Sequence, residues 1–145
     1  MRRAAGWSID ENCPTPAAWH SGSVKVALLS DCYLPRTGGI ESQVSDLAVR
    51  LQAAGHEVEV FTATRGPKGE RGGVVEVVDG VPVHRMALHL PGDLPVNPMA
   101  PPVVRARLED NGFDVAHVHL GVVSPFGWDM ARVATGLGMP TALTF

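Results

Sequence analysis

Two short stretches of this sequence have the residue types and spacing for chemistry. The first is Gly38-Gly39, where a polar loop gives way to a helical pattern. A glycine pair lets a ligand approach the backbone closely. The free N–H groups and the positive dipole end of the helix favour an anion there, typically a phosphate. The same pair also reads as a plain tight turn, and the residues alone leave both readings open. The second stretch is His117-Val118-His119. Strand alternation puts the two imidazoles on one face. His119 closes the strand, at the carboxyl end where open α/β sheets bind ligands. It stands between a site residue and a structural one, whereas His117 reads as a satisfied core histidine. An H-x-H pair also suits zinc, but no third ligand stands at a suggestive spacing, so no metal is expected.

The position of the glycines limits the kind of phosphate site. A dinucleotide fold wants G-x-G-x-x-G directly after the first strand and an acid at the end of the second. Here the glycines follow a loop over residues 30–37, and the second strand ends in Ala63-Thr64. No Gly-Lys-Ser/Thr occurs, so a Walker A loop is absent. A nicotinamide-dependent enzyme is therefore a poor fit.

The elements that position these stretches follow from hydrophobic patterning. Val24 to Leu29 is an apolar run broken only by Lys25, and it suits a strand covered on both faces. Ile40, Val44, Leu47, Ala48, Leu51 and Ala54 share one helical face, and Gly55 stops the helix. Glu41 in the first turn complements the dipole. Glu57 to Thr64 is the second strand. Arg65 to Gly73 is a charged, Gly-rich loop whose basic residues either face an anionic acceptor or lipid, or are simply solvated. Val74–Val78 and Val81–Met86 read as a hairpin across Asp79-Gly80, with Pro82 at an edge or a strand start. Five prolines between Leu90 and Pro102 predict a surface loop there. A short helix over Val103–Asp110 follows, then a strand over Asp114–His119. The last helix runs over Trp128–Leu137, with Ser124-Pro125 suiting an earlier start, and Thr141–Phe145 begins another strand.

Alternating strands and helices with short turns imply an α/β class: a Rossmann-like, open, mostly parallel sheet with right-handed crossovers and helices on both faces. Residues 1–23, with Cys13-Pro-Thr-Pro16, lack periodicity and read as a flexible leader, leaving 24–145 as the domain. A net charge of −3 gives no global attraction to nucleic acid, so none is expected as a partner. Cys13 and Cys32 are too few for a disulfide framework and suit a reducing cytosol. No apolar run approaches the roughly 20 residues of a membrane span.

Three stretches together carry a family resemblance. They are Pro35-x-x-Gly38-Gly39-Ile-Glu-x-x-Val44, Leu47-Ala48-x-x-Leu51-x-x-x-Gly55-His-Glu-Val58, and Phe113-Asp-Val-x-His117-Val-His119. In order and spacing the chain resembles the N-terminal domain of family 4 glycosyltransferases of the GT-B fold. That family includes phosphatidylinositol mannosyltransferases and the inositol-phosphate N-acetylglucosaminyltransferase of mycothiol synthesis. The resemblance implies half of a retaining enzyme that moves a sugar from a UDP- or GDP-sugar to an acceptor hydroxyl. The acceptor would be a sugar, an inositol phosphate or a lipid. It implies no cofactor, a cytoplasmic location and, with a lipid acceptor, peripheral contact with the inner face of a membrane. In the family a Thr-Phe-His motif lies near this strand, and its His would follow Phe145. Gly38 and Gly39 would hold the donor diphosphate. Asp31, Tyr33, Arg36 and His119 would bind the acceptor, with a solvated surface role equally open to Arg36. The resemblance names no catalytic acid or base. The alternative reading is a non-catalytic Rossmann-like module that binds a nucleotide or sugar.

Overall fold

A computed structural model describes residues 22–145 of the protein. The expected leader falls almost entirely outside these residues. Six strands form one sheet: β1 (Lys25–Ser30), β2 (Glu57–Thr62), β3 (Val74–Val78), β4 (Val81–Arg85), β5 (Val115–His119) and β6 (Thr141–Thr144). Their order is β3-β4-β2-β1-β5-β6. Every pairing is parallel except that of β3 with β4. Three helices cover the sheet: α1 (Gly39–Ala53), α2 (Ala100–Asp110) and α3 (Pro125–Gly136).

β1 is central, so both its faces need cover, which explains its unbroken apolar run. Val26 and Leu28 pack with Val58, Val60, Val83 and the α1 residues Val44 and Ala48. Ala27 and Leu29 pack on the other side with Phe61, Ala116 and Val118 against α2 and α3. Helices on both faces are thus present, as the patterning predicts. Lys25, the one charge in the run, sits at the strand's start beside Glu59 at 3.1 Å and over the Phe113 ring. α1 ends as expected: Gly55 has φ +91°, and its N–H and that of His56 donate to Gln52 and Leu51 carbonyls.

Two differences from the sequence reading have physical causes. α2 begins at Ala100, not Val103, because Pro101 and Pro102 open it instead of belonging to the loop. A first-turn proline gives up no helical hydrogen bond and arrives with φ already set. Pro82 stands at a strand start, one of its two expected places, but the strand is interior, between β3 and β2, and not an edge. It is tolerated because the β2–β4 pairing begins only at Val83, so its missing N–H interrupts nothing.

Candidate functional site

β1, β2 and β5 all point their carboxyl ends to one edge of the sheet. There Ser30 pairs with Thr62 on one side and His119 on the other. The β1–α1 loop over residues 31–38 rises between them and separates two crevices. One holds about 40 Å³ and is lined by Asp31, Cys32, Ile40, His119, Gly121 and Ser124. The other holds about 550 Å³ and lies between Pro35-Arg36 and the segment from Thr64 to Gly69.

The loop is held by polar groups rather than by its own sequence. Thr62 and Thr64 hydroxyls donate to the Asp31 carbonyl at 3.2 and 3.1 Å. The Tyr33 N–H donates to the Thr64 hydroxyl at 3.1 Å. Arg85, fully buried, donates to the Leu34 carbonyl at 2.5 Å and to the Glu76 carboxylate through Nε at 2.8 Å. A buried guanidinium needs such a carboxylate. Here Glu76 on β3 supplies it across the hairpin. Nothing in the local sequence around Arg85 or Glu76 signals this role, because a charge in a strand reads as a solvated face.

The structure separates the four acceptor candidates. Tyr33 is turned into the core with its ring under Arg85, and burial pushes its phenol pKa up. Arg36 is exposed on the large crevice. Asp31 and His119 meet at the small one. Asp31 is 5% exposed, and its Oδ1 accepts the Gly127 N–H at 3.1 Å from a helix 96 residues away. It therefore caps α3, a task the N-cap Ser124 leaves undone: the Ser124 hydroxyl accepts the Gly121 N–H instead. Burial raises the Asp31 pKa, against the lowering effect of its Ser124 and Gly127 hydrogen bonds. Oδ2 has no partner among the described residues. Gly127 is needed here, because a Cβ would lie 2.6 Å from Leu120 Cδ2 and 3.0 Å from Asp31 Oδ2. Ser124 and Gly127 escaped sequence reasoning. The signal in reach was the Ser124-Pro125 helix start, though not its partner.

His119 is 3% exposed and neither ring nitrogen has a partner among the described residues. Its ring stacks on His117 at 4.2 Å, while His117 Nε2 and the Thr144 hydroxyl are 2.7 Å apart. Burial, with some help from His117, pushes the His119 pKa down to about 4, so the ring is neutral at pH 7. A neutral imidazole offers one donor and one acceptor, which suits a hydroxyl-bearing ligand.

Gly38 and Gly39 stand at the start of α1, as N-cap and first residue. Gly38 is extended, with φ −176° and ψ −178°, so conformation does not demand glycine there. Space does: a Cβ would run into the Glu41 carboxylate, which folds back from the first turn over the cap. Gly39 is the reverse case. Nothing lies within 4 Å of where its Cβ would be, so space does not demand glycine at this position. Among the described residues no three His, Cys, Asp or Glu side chains gather as a metal site, and no helix is long and apolar enough to cross a membrane.

An open, mostly parallel sheet with two crevices at its carboxyl edge and a glycine-led helix beside them is the Rossmann-like architecture of one half of a GT-B glycosyltransferase. The glycosyltransferase of Rickettsia africae shares the fold, with a TM-score of 0.56 over 85% of this chain and 30% of that one, at 13% identity. The sequence model of Glycosyltransferase Family 4 matches residues 37–145, and the chain belongs to that family. A GDP-mannose-dependent alpha-mannosyltransferase of Mycobacterium tuberculosis is 29% identical over 84% of this chain. A D-inositol 3-phosphate glycosyltransferase of Kineococcus radiotolerans is 34% identical over 63% of it. The chain spans 32% and 22% of those two relatives' lengths.

Proposed function

We propose that the protein to which this chain belongs transfers a sugar from a nucleotide-sugar donor, GDP-mannose or a UDP-sugar, to a hydroxyl of a sugar, inositol phosphate or lipid acceptor. Residues 24–145 form its N-terminal, acceptor-side half, and a second α/β domain supplies most of the nucleotide contacts. The observation that carries this reading is the Family 4 match over residues 37–145, in a chain whose α1 starts at Gly38-Gly39 beside the crevice that Ile40 shares with the buried His119. When the bond from the sugar's anomeric carbon to the diphosphate breaks, negative charge grows on the leaving phosphate. First-turn N–H groups of α1 stabilise that charge without reorganising. His119, neutral, hydrogen-bonds a hydroxyl of the sugar or the acceptor. With a lipid acceptor the protein works at a membrane surface.

The test is a transfer assay with the 145-residue chain and with the longest natural polypeptide that contains it. A panel of GDP- and UDP-sugars is offered with inositol phosphates and phosphatidylinositol, and product is read by mass spectrometry. The long polypeptide is expected to form product and the chain alone none. Transfer by the chain alone overturns the two-half reading. Donor binding without transfer by the long form supports a non-catalytic binding module.

A further inference from the structure

The large crevice has no role in the reading above. It holds about 550 Å³, the size of a small-ligand pocket, and two walls of the carboxyl edge form it. Arg36 comes from the β1–α1 loop, and Arg65 and Lys68 come from the segment after β2. Lys25, Arg85, Arg105 and Arg132 each have a carboxylate at ion-pair distance. Among the described residues Arg36 and Lys68 have none; the same is true of Arg50, Arg71 and Arg107 elsewhere, so what sets these two apart is the crevice they share. With a net charge of −3 for the whole chain, positive potential at this place is a local arrangement.

The walls that carry these cations are fixed. Gly69 N–H donates to the Gly66 carbonyl and Gly66 N–H to the Glu70 carbonyl, both at 2.9 Å. The Glu70 carboxylate, the nearest acid in sequence, accepts the Lys68 N–H at 2.9 Å and is folded inward against Gly66. Behind the opposite wall, Arg85 and Thr64 tie down the loop that bears Arg36. A solvated loop needs neither a concave wall nor a turn that commits its own acid to the backbone.

We propose that this crevice is an oxyanion subsite that holds a phosphate of the acceptor between Arg36 and Lys68. The inference rests on the glycosyl-transfer reading for the word acceptor, and it names that acceptor's class: a phosphorylated one. The planar guanidinium of Arg36 engages two phosphate oxygens, and the Lys68 ammonium supplies a point charge. The phosphate is either that of a soluble phosphorylated polyol or that of a lipid headgroup.

The experiment is a titration of the isotope-labelled 145-residue chain, read by amide chemical shifts. The probes are inorganic phosphate, D-inositol 3-phosphate and unphosphorylated inositol. Phosphatidylcholine vesicles with and without phosphatidylinositol are used in sedimentation. Expected are shifts at Arg36, Lys68 and Gly69 with the phosphorylated probes and none there with inositol. The double variant Arg36→Gln/Lys68→Gln should bind phosphate at least about 10-fold more weakly, and Arg132→Gln should bind as the parent does. Both variants lie on the surface, and their melting curves check the fold. Crevice binding of the soluble ester alone identifies a soluble acceptor. Sedimentation with phosphatidylinositol that the double variant loses identifies a lipid headgroup. Shifts confined to Gly39 and Ile40, unchanged in the double variant, overturn the subsite and leave the α1 reading standing. Shifts at neither place overturn the subsite, and the α1 reading is then judged by turnover of the longest natural polypeptide.

Discussion

The two crevices share one loop and handle charge in opposite ways. Asp31 and Arg36 are five residues apart in sequence, yet Asp31 is buried on the small flank and Arg36 exposed on the large one. On the large flank the cations keep their water, and formal charge is cheap to hold but weakened by salt. On the small flank a carboxylate and an imidazole are cut off from solvent. There burial sets their protonation, raising the Asp31 pKa and lowering that of His119. The wide side suits an ionic group, and the narrow side suits neutral hydrogen bonding. What keeps them apart is the loop, and what keeps the loop is largely Arg85.

Breaking that partition at its anchor should have the largest effect. Arg85→Met removes the guanidinium but leaves the Glu76 carboxylate and the Leu34 carbonyl without their partner. Breaking a fully buried ion pair from one side costs about 3–5 kcal/mol; the Glu76 side chain left behind is 19% exposed, so urea unfolding of the chain should report a loss near the lower end, about 3 kcal/mol. A loss under about 1 kcal/mol would mean that the loop stands without Arg85.

The next effect sharpens the contrast on the narrow side. The folded state holds the His119 pKa near 4, against 6.5 as the ordinary value. The unfolded chain therefore binds the proton more readily. The stabilisation is full above pH 6.5 and is lost as pH falls from 6.5 towards 4, by about 3 kcal/mol. His84 and His117 are lowered too, so part of the slope is theirs. The His119→Gln variant should lose the His119 share of the slope. An identical pH dependence in both proteins would show that His119 does not titrate in a buried setting.

The frame was legible in the sequence because its signals are local. The apolar run of β1, the Asp79-Gly80 hairpin and the Gly55 helix stop each need only a few neighbouring residues to be read. The site was legible only in part. Gly38-Gly39 and His119 stand where strand ends and helix starts put them. Tyr33 did not reveal that it faces the core, and Asp31 did not reveal that it caps a helix 96 residues on. Those facts depend on which elements the topology brings together. Arg85 was hidden for the same reason, since its partners come from the β1–α1 loop and the hairpin strand β3.

The central claim is that α1 turns its N-terminus, which no side chain caps by a hydrogen bond, to the donor diphosphate. The most direct measurement is turnover of the longest natural polypeptide carrying Gly39→Val, with Gly55→Ala as the control. Gly39 has open space at its Cβ position and no positive φ, so valine should leave the fold intact while standing where phosphate must approach. Gly55 has φ +91°, so alanine there should cost about 1 kcal/mol of stability and spare donor binding. The account predicts that Gly39→Val lowers turnover at least about 100-fold, roughly 2.7 kcal/mol of transition-state stabilisation, at an unchanged melting temperature. Normal turnover and donor affinity in a folded Gly39→Val protein would contradict it and leave the glycine pair as a plain turn.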